Sequence, residues 1–572
     1  MQRNRFVRGI TSAFFCVVLT TLVACNSSAP TAITSPNNQA TIAPPDKQIL
    51  HRVTEGGDFN TLDPALTLGP GDPINTLFTG LVGLNDNGTV SDQLAASHHV
   101  SSDGLTYTFT LKPNLKFSDG TSLTAEDVAY SINRAVIPAT KSPVARYLSL
   151  IKDFDKVNAG KQASLIGDSV VVKDPNTIAL MLSKPAAYFL AALTYPTSYV
   201  VEKKLIERYG EQWTDHLDQG GGDGPFKVQS YEHTSNLTLV PNPNFEGLKP
   251  RLQKIIWTIG SDRDSNYKAY LAGQYDVVGI PPSQGAAVAS KPDFRRAPAL
   301  AFRYIGMNYL SQPFDNSKVR QAFALAINKD LIINHVINIA IKAVTPSNHI
   351  IPDGLLGYNP TLTGPAGVAS TTGDQTKARQ LLQQGLQEDG YASVAALPPL
   401  SLAYDISYKA GANTMLAVAD EWKQILGVTV KLVGMQPNDL IHAEVSTIGN
   451  SRLQMFYGVW GASYPDPQNF TTLFFGKHSD YNFFNYGQNN STSAKAQQAV
   501  QDELARADIE QDSTKRLSMY QDAEQHIVND VGIIPLYQTA YVVAINPKLQ
   551  NYKLTSLGLL ATNDWANIYF VQ

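Results

Sequence analysis

Both cysteines of this 572-residue chain, Cys16 and Cys25, fall within its first 25 positions. Everything after Cys25 must fold without a disulfide or a cysteine-ligated metal, so its stability has to come from buried cores. The segment around the cysteines reads differently. Arg3, Arg5 and Arg8 precede an uncharged run from Gly9 to Ala24, too short and too close to the start for an ordinary membrane span. In Leu22-Val23-Ala24-Cys25 a small residue precedes the cysteine, as signal cleavage there requires. The expectation is a secretory signal over 1–24 and a lipid on Cys25; the alternative is an uncleaved anchor helix. Either places the bulk of the chain outside the cytoplasm.

Removing 24 residues leaves 548, enough for two or three domains. Loss of three arginines takes the net charge from −4 to −7, which gives no footprint for nucleic acid. No later stretch is long and apolar enough to span a bilayer, so membrane attachment falls to the lipid. Residues 26–47 are Ser, Thr, Pro, Asn and Ala with almost no large apolar side chains, and are expected to form a flexible tether.

Ordered structure is expected from near Ile49. In Thr106–Leu111 the apolar residues Tyr107, Phe109 and Leu111 alternate with threonines, the period of a half-buried strand. Thr124 with Asp127 has capping-box spacing, with Val128 and Ile132 one turn apart on the helix that follows. Residues 169–182 and 226–240 read as two strand pairs, so the first half is sheet-rich. In the second half Val319, Phe323, Ala326 and Ile327 mark one helix face. Met415, Leu416, Ala419, Trp422, Ile425 and Leu426 mark another, closed by Gly427. Further helices over 494–508 and 513–530 precede the apolar strand at 532–537, an α/β alternation.

Enzyme motifs fail. There is no GxSxG elbow, HExxH or GxxxxGK[ST] loop. The glycine run at 220–224 lacks a following Lys-Ser/Thr and reads as a plain flexible loop. His98 and His99, neighbours in an extended segment, face opposite ways and suit surface positions better than a shared metal. No catalytic residue, metal site or cofactor is expected. A glycosidase-type carboxylate pair has no positive support.

What is present is aromatic. Residues 456–486 hold 11 Phe, Tyr and Trp in 31 positions, against 9% for the chain. Phe474 and Phe475 suit a core. Tyr457, Trp460 and Tyr464, interrupted by glycines and prolines, suit the wall of a ligand cleft.

Several long segments then match one family in order: 94–135 (LAASHHVSSDGLTYTFTLKPNLKFSDGTSLTAEDVAYSINRA), GDGPFKV at 222–228, NPNF at 242–245, 307–332, and WGASYPDP at 460–467. The chain resembles the family 5 bacterial extracellular solute-binding proteins, the oligopeptide- and dipeptide-binding components of ABC importers. The resemblance covers nearly all of the chain after Cys25. It implies an α/β, periplasmic-binding-protein-like fold of two lobes with a ligand cleft between them and an extra subdomain in lobe I. The implied division is lobe I from 48–83, the extra subdomain from 84–205, lobe I again from 206–303, lobe II from 304–535 and a return to lobe I over 536–572.

The resemblance further implies a monomer, lipid-anchored on the outer face of the plasma membrane. It would close over a peptide or other small solute and dock on permease subunits with their ATPase. Two segments would flank the ligand and pair with it as an added strand: Asp58, Phe59 and Asn60, and Val459, Trp460, Gly461, Ala462 and Ser463, with Tyr464 beside them. One position departs from the pattern. Relatives that hold a free peptide N-terminus usually carry an aspartate where this chain has Ser463, and a buried ammonium without its carboxylate is costly. Either the ligand lacks that ammonium, an oligosaccharide being one such cargo, or a peptide sits in another register. Asp58 and Asp466 are the nearby substitutes in sequence, and Asp466 matches a structural turn position. A ligand sensor on the same fold is the other functional class.

Overall fold

The computed structural model describes residues 41–68, 71–260, 262–337 and 343–572. The signal segment, Cys25 and residues 26–40 of the expected tether lie outside the described residues, while its last part, 41–47, is ordered and not flexible: Ile42 bridges Val571, Ala43 is buried, and Pro45–Lys47 form a helical turn. Among those described, no helix is long and apolar enough to cross a membrane.

The Thr/aromatic alternation at Thr106–Leu111 forms a strand with Tyr107, Phe109 and Leu111 buried. It lies inside an antiparallel sheet ordered Ala95–Val100, Thr106–Leu111, Thr177–Met181, Val170–Asp174. Helix Ala125–Val136 starts on a capping box in which Thr124 N donates to the Asp127 carboxylate at 2.8 Å. Its face of Val128, Ala129, Ile132 and Ala135 packs into the same core. Most of this core falls in the segment expected to form the extra subdomain, 84–205, and Leu81, Val82 and Tyr464 belong to it as well.

A second four-stranded sheet, ordered Ile49–Val53, Lys254–Thr258, Asn236–Pro241, Phe226–Glu232, forms lobe I, with the first pair parallel. The end of the chain returns here. Ala43 N donates to Phe570 O at 2.8 Å, and the buried Gln48 amide donates to both Ala43 O and Phe570 O. Leu50, Ile255, Trp213 and Trp565 share one core.

The largest sheet is mixed and ordered Val277–Gly279, Ile533–Ile545, Phe294–Met307, Met455–Gly461, Leu400–Asp405, Val430–Met435. Alternate side chains enter opposite cores. Ile305, Met307, Leu402 and Met455 face one layer of helices, while Phe302, Tyr304, Ala403 and Phe456 face another. The two long strands, Phe294–Met307 and Ile533–Ile545, pair almost throughout, with register shifts between Pro298 and Phe302 and between Arg303 and Tyr304. They are neighbouring strands of one sheet.

Two expectations need correction. On helix Lys409–Leu426 the buried stripe is Gly411, Met415, Val418, Trp422 and Leu426, and Leu416 is 59% exposed. Trp422 sets the rotation, its indole N–H donating to Phe323 O at 2.9 Å. The glycine run at 220–224 is no loose loop. A Cβ on Gly222 would sit 2.2 Å from Leu77 O, and one on Gly224 2.4 Å from Thr76 O. Asp223, buried between them, accepts from Thr79 N at 2.8 Å and from the Thr79 hydroxyl. Burial pushes its carboxyl up to about 7.

Candidate functional site

Strand Ile49–Val53 is an edge of its sheet and runs into a turn at Gly56 and Gly57, both at positive φ. Two bonds pin this turn: Gly57 N donates to Gly260 O at 3.1 Å and Thr54 Oγ1 to Gly57 O at 2.5 Å. Asp58, Phe59 and Asn60 follow directly. Asp58 is fully engaged, its Oδ1 accepting from Tyr231 Oη at 2.7 Å and its Oδ2 lying 2.5 Å from His233 Nδ1. His233 Nε2 lies 3.1 Å from Asp215, and hydrogen bonding to Asp58, then to Asp215, raises the imidazole above its ordinary value. Phe59 packs edge-on against Trp257 at 5.8 Å, and Asn60 is exposed. These residues open on a cavity of ≈ 560 Å³ lined also by Arg52, Arg263 and Tyr541.

The other segment lies on strand Met455–Gly461. One edge pairs with Phe294–Met307 from Met455↔Met307 to Gly461↔Ala301. The other edge pairs with Leu400–Asp405 only at Met455 and Phe456. From Tyr457 to Gly461 that second edge carries no ladder among the described residues, and its far end, from Val459 to Gly461, is the part exposed and placed to accept an added strand. Val459 is 51% exposed at this edge. Trp460 is held by its indole N–H on Asn469 O at 3.0 Å and by edge-on packing against Phe474 at 4.7 Å. Gly461 is exposed, and Ala462 N bonds back to Leu300 O at 2.8 Å.

Ser463 N donates to Asn469 Oδ1 at 3.2 Å, and its hydroxyl lies 2.5 Å from Tyr147 Oη, joining this segment to the extra subdomain. Tyr464 is buried, stacked on Tyr188 at 6.2 Å with its hydroxyl on Gln468, and packs into the subdomain core. Tyr457 is not a cleft residue. It is 3% exposed, with its hydroxyl 2.6 Å from that of Tyr537 inside the lobe II core. Phe474 and Phe475 are fully buried.

Trp460, Ser463 and Tyr464 line a cavity of ≈ 320 Å³ between this segment and the extra subdomain, with Tyr147 and Tyr188 on the far wall. The two segments thus open on two separate cavities. Neither of the two substitutes that the sequence offered for the carboxylate absent at Ser463 is free. Asp58 is taken as above, and Asp466 receives both ends of the buried Arg516 guanidinium at 2.9 and 2.6 Å while capping Gln468 N. One buried carboxylate in this cavity was not singled out from the sequence: Asp508, 9% exposed, near the end of helix Ala494–Ile509. The pattern held a signal for it, because Asp508 falls on the buried stripe Gln497, Val500, Gln501, Leu504, Ala507. Among the described residues no group of three or more His, Cys, Asp or Glu is placed to hold a metal.

An α/β body with a strand edge free of a ladder beside a cavity is the architecture of a ligand-binding protein. The chain belongs to the bacterial extracellular solute-binding proteins, family 5, whose model matches residues 89–482. It is a binding protein and not an enzyme. It is 28% identical over 479 residues to the oligopeptide-binding protein OppA of Bacillus subtilis, covering 82% of this chain and 83% of that one. It is 27% identical over 549 residues to the probable deoxycholate-binding periplasmic protein YgiS of Escherichia coli, covering 93% and 95%. Among solved structures it matches the unliganded open form of the periplasmic murein tripeptide-binding protein MppA, with a TM-score of 0.76, 26% identity, and 93% and 99% of the two chains covered.

Proposed function

We propose that this protein captures peptides outside the cytoplasm and delivers them to the permease of an ABC importer. Its relatives take different cargoes, a bile acid by name in one case and oligopeptides in another, so family membership alone does not choose. The observation that carries the peptide reading is the unpaired edge of Tyr457–Gly461. A row of outward backbone groups is matched by another backbone, and by little in a steroid or a sugar. In the closed form Asp58–Asn60 and Val459–Ser463 would flank the ligand, with Tyr464 bracing the second segment from the subdomain core. The lobes divide at 303/304 and 535/536, a reading supported by the register shifts between Pro298 and Tyr304. Cys25 carries the lipid that holds the protein at the membrane.

Native mass spectrometry of the protein extracted from its own host tests the cargo. A ladder of bound masses spaced by amino-acid residues supports peptide capture, and a single non-peptide mass overturns it. Cys25→Ala should move the protein from the membrane fraction to the soluble one.

A further inference from the structure

The environment of Asp508 is electrostatically incomplete. Asp466 and Arg516 form a buried bidentate pair and neutralise each other. Arg516 Nη2 also donates to Tyr520 Oη at 3.2 Å, and Tyr520 in turn donates to Asp508 Oδ1 at 2.7 Å. Thr472 Oγ1 donates to the same oxygen at 2.8 Å. Two donors therefore fix Asp508 through Oδ1, and no hydrogen bond or ion pair reaches Oδ2 among the described residues. With one cation between two carboxylates the network holds an excess negative charge, on a side chain 9% exposed that lines the cavity of Trp460, Ser463 and Tyr464. A buried carboxylate with no counter-ion binds either a proton or a cation. Burial accordingly lifts the Asp508 carboxyl to about 6.

The surroundings suit an organic cation. Tyr188 and Tyr464, stacked 7° from parallel, wall the same cavity, and aromatic surface next to a carboxylate favours an ammonium. Farther out the lining turns basic, with exposed Arg146, Lys184 and Lys477 against the single exposed carboxylate of Asp480. We infer that Asp508 receives the α-ammonium of the bound peptide, so that the charge role absent at Ser463 is filled from the end of helix Ala494–Ile509 and the peptide is held in a different register. This assignment rests on the peptide reading above. It makes Asp508 a specificity residue: ligands with a free amino end bind and blocked ones do not.

The test compares a random tripeptide pool with the same pool N-acetylated, on the full chain at pH 7.5, by ultrafiltration and mass spectrometry of the retained peptides. The unaltered protein is expected to hold the free pool about 100-fold more tightly or better, the scale of removing one partner from a buried charge pair. Asp508→Asn keeps Oδ1 as the acceptor for Thr472 and Tyr520 and replaces only Oδ2, so the fold should survive and the preference should vanish. A measurement without a variant stands beside it. Carbodiimide-driven amidation of Asp508, mapped by mass, should be slowed by the free pool and not by the acetylated one. Equal retention of both pools by the unaltered protein, an undiminished preference in Asp508→Asn, or no protection of Asp508 would each overturn the assignment. Retention of neither pool would overturn the peptide reading itself, and the assignment with it.

Discussion

Two carboxylates stand beside the two segments proposed to flank the ligand, and they are handled in opposite ways. Asp58, on the lobe I side, is partly exposed and has both oxygens occupied by Tyr231 and His233. Asp508, beside the extra subdomain, is buried with one oxygen occupied. Exposure makes the first cluster cheap to assemble and weak, because water screens it. Burial makes the second expensive unless a ligand completes it. The same side chain thus serves as loop support in one place and, on the assignment inferred above, as a receptor for a cation in the other.

The largest effect should come from removing the cation that keeps the buried cluster tolerable. Arg516→Leu leaves Asp466 buried without its partner and should cost about 3–5 kcal/mol in urea unfolding of the unliganded protein; a loss under about 1 kcal/mol would show that water reaches Asp466 and erase the contrast. Asp508→Asn should act the other way. A carboxyl whose folded-state value is raised from 3.8 to about 6 loses stability for the fold as pH climbs between those values, and the loss persists above them. The variant should therefore gain about 2–3 kcal/mol at pH 7.5 and almost nothing at pH 4, trading stability against ligand capture. The smallest effect belongs to the exposed cluster. The raised His233 value means that its contribution is full below the ordinary histidine range and fades as pH rises through the folded value. His233→Asn should cost under about 1 kcal/mol at pH 5.5 and nothing measurable at pH 9.

How much of this was written in the sequence follows from how local each feature is. The strand at Thr106–Leu111 and the capping box at Thr124–Asp127 depend on residues one to three apart, and both formed as their spacing implied. The rotation of helix Lys409–Leu426 depends on a bond from Trp422 to Phe323, 99 residues away, and composition alone placed Leu416 on the wrong face. The glycine run at 220–224 looked slack because its crowding comes from carbonyls at Thr76 and Leu77, far back in the chain. Within the candidate site, Trp460 and Ser463 stood out through an aromatic run and a motif. The open strand edge could not, since it is defined by where a neighbouring strand stops pairing. Asp508 was visible only as an acid on an apolar stripe, while Asp502 on the same helix is exposed.

The pinning of Ala43 to Phe570 has a mechanical side. Ala43 and Phe570 sit on the same core as the sheet that begins at Ile49, so under the proposed attachment through Cys25 the membrane would hold the lobe I side, and the proposed lobe II would swing without doing work against the attachment. The same geometry governs reporter placement. Dyes on Ile42 and Val571 would ride together and stay silent through the proposed closure, whereas one dye on either residue and another on helix Lys409–Leu426 would read the motion directly.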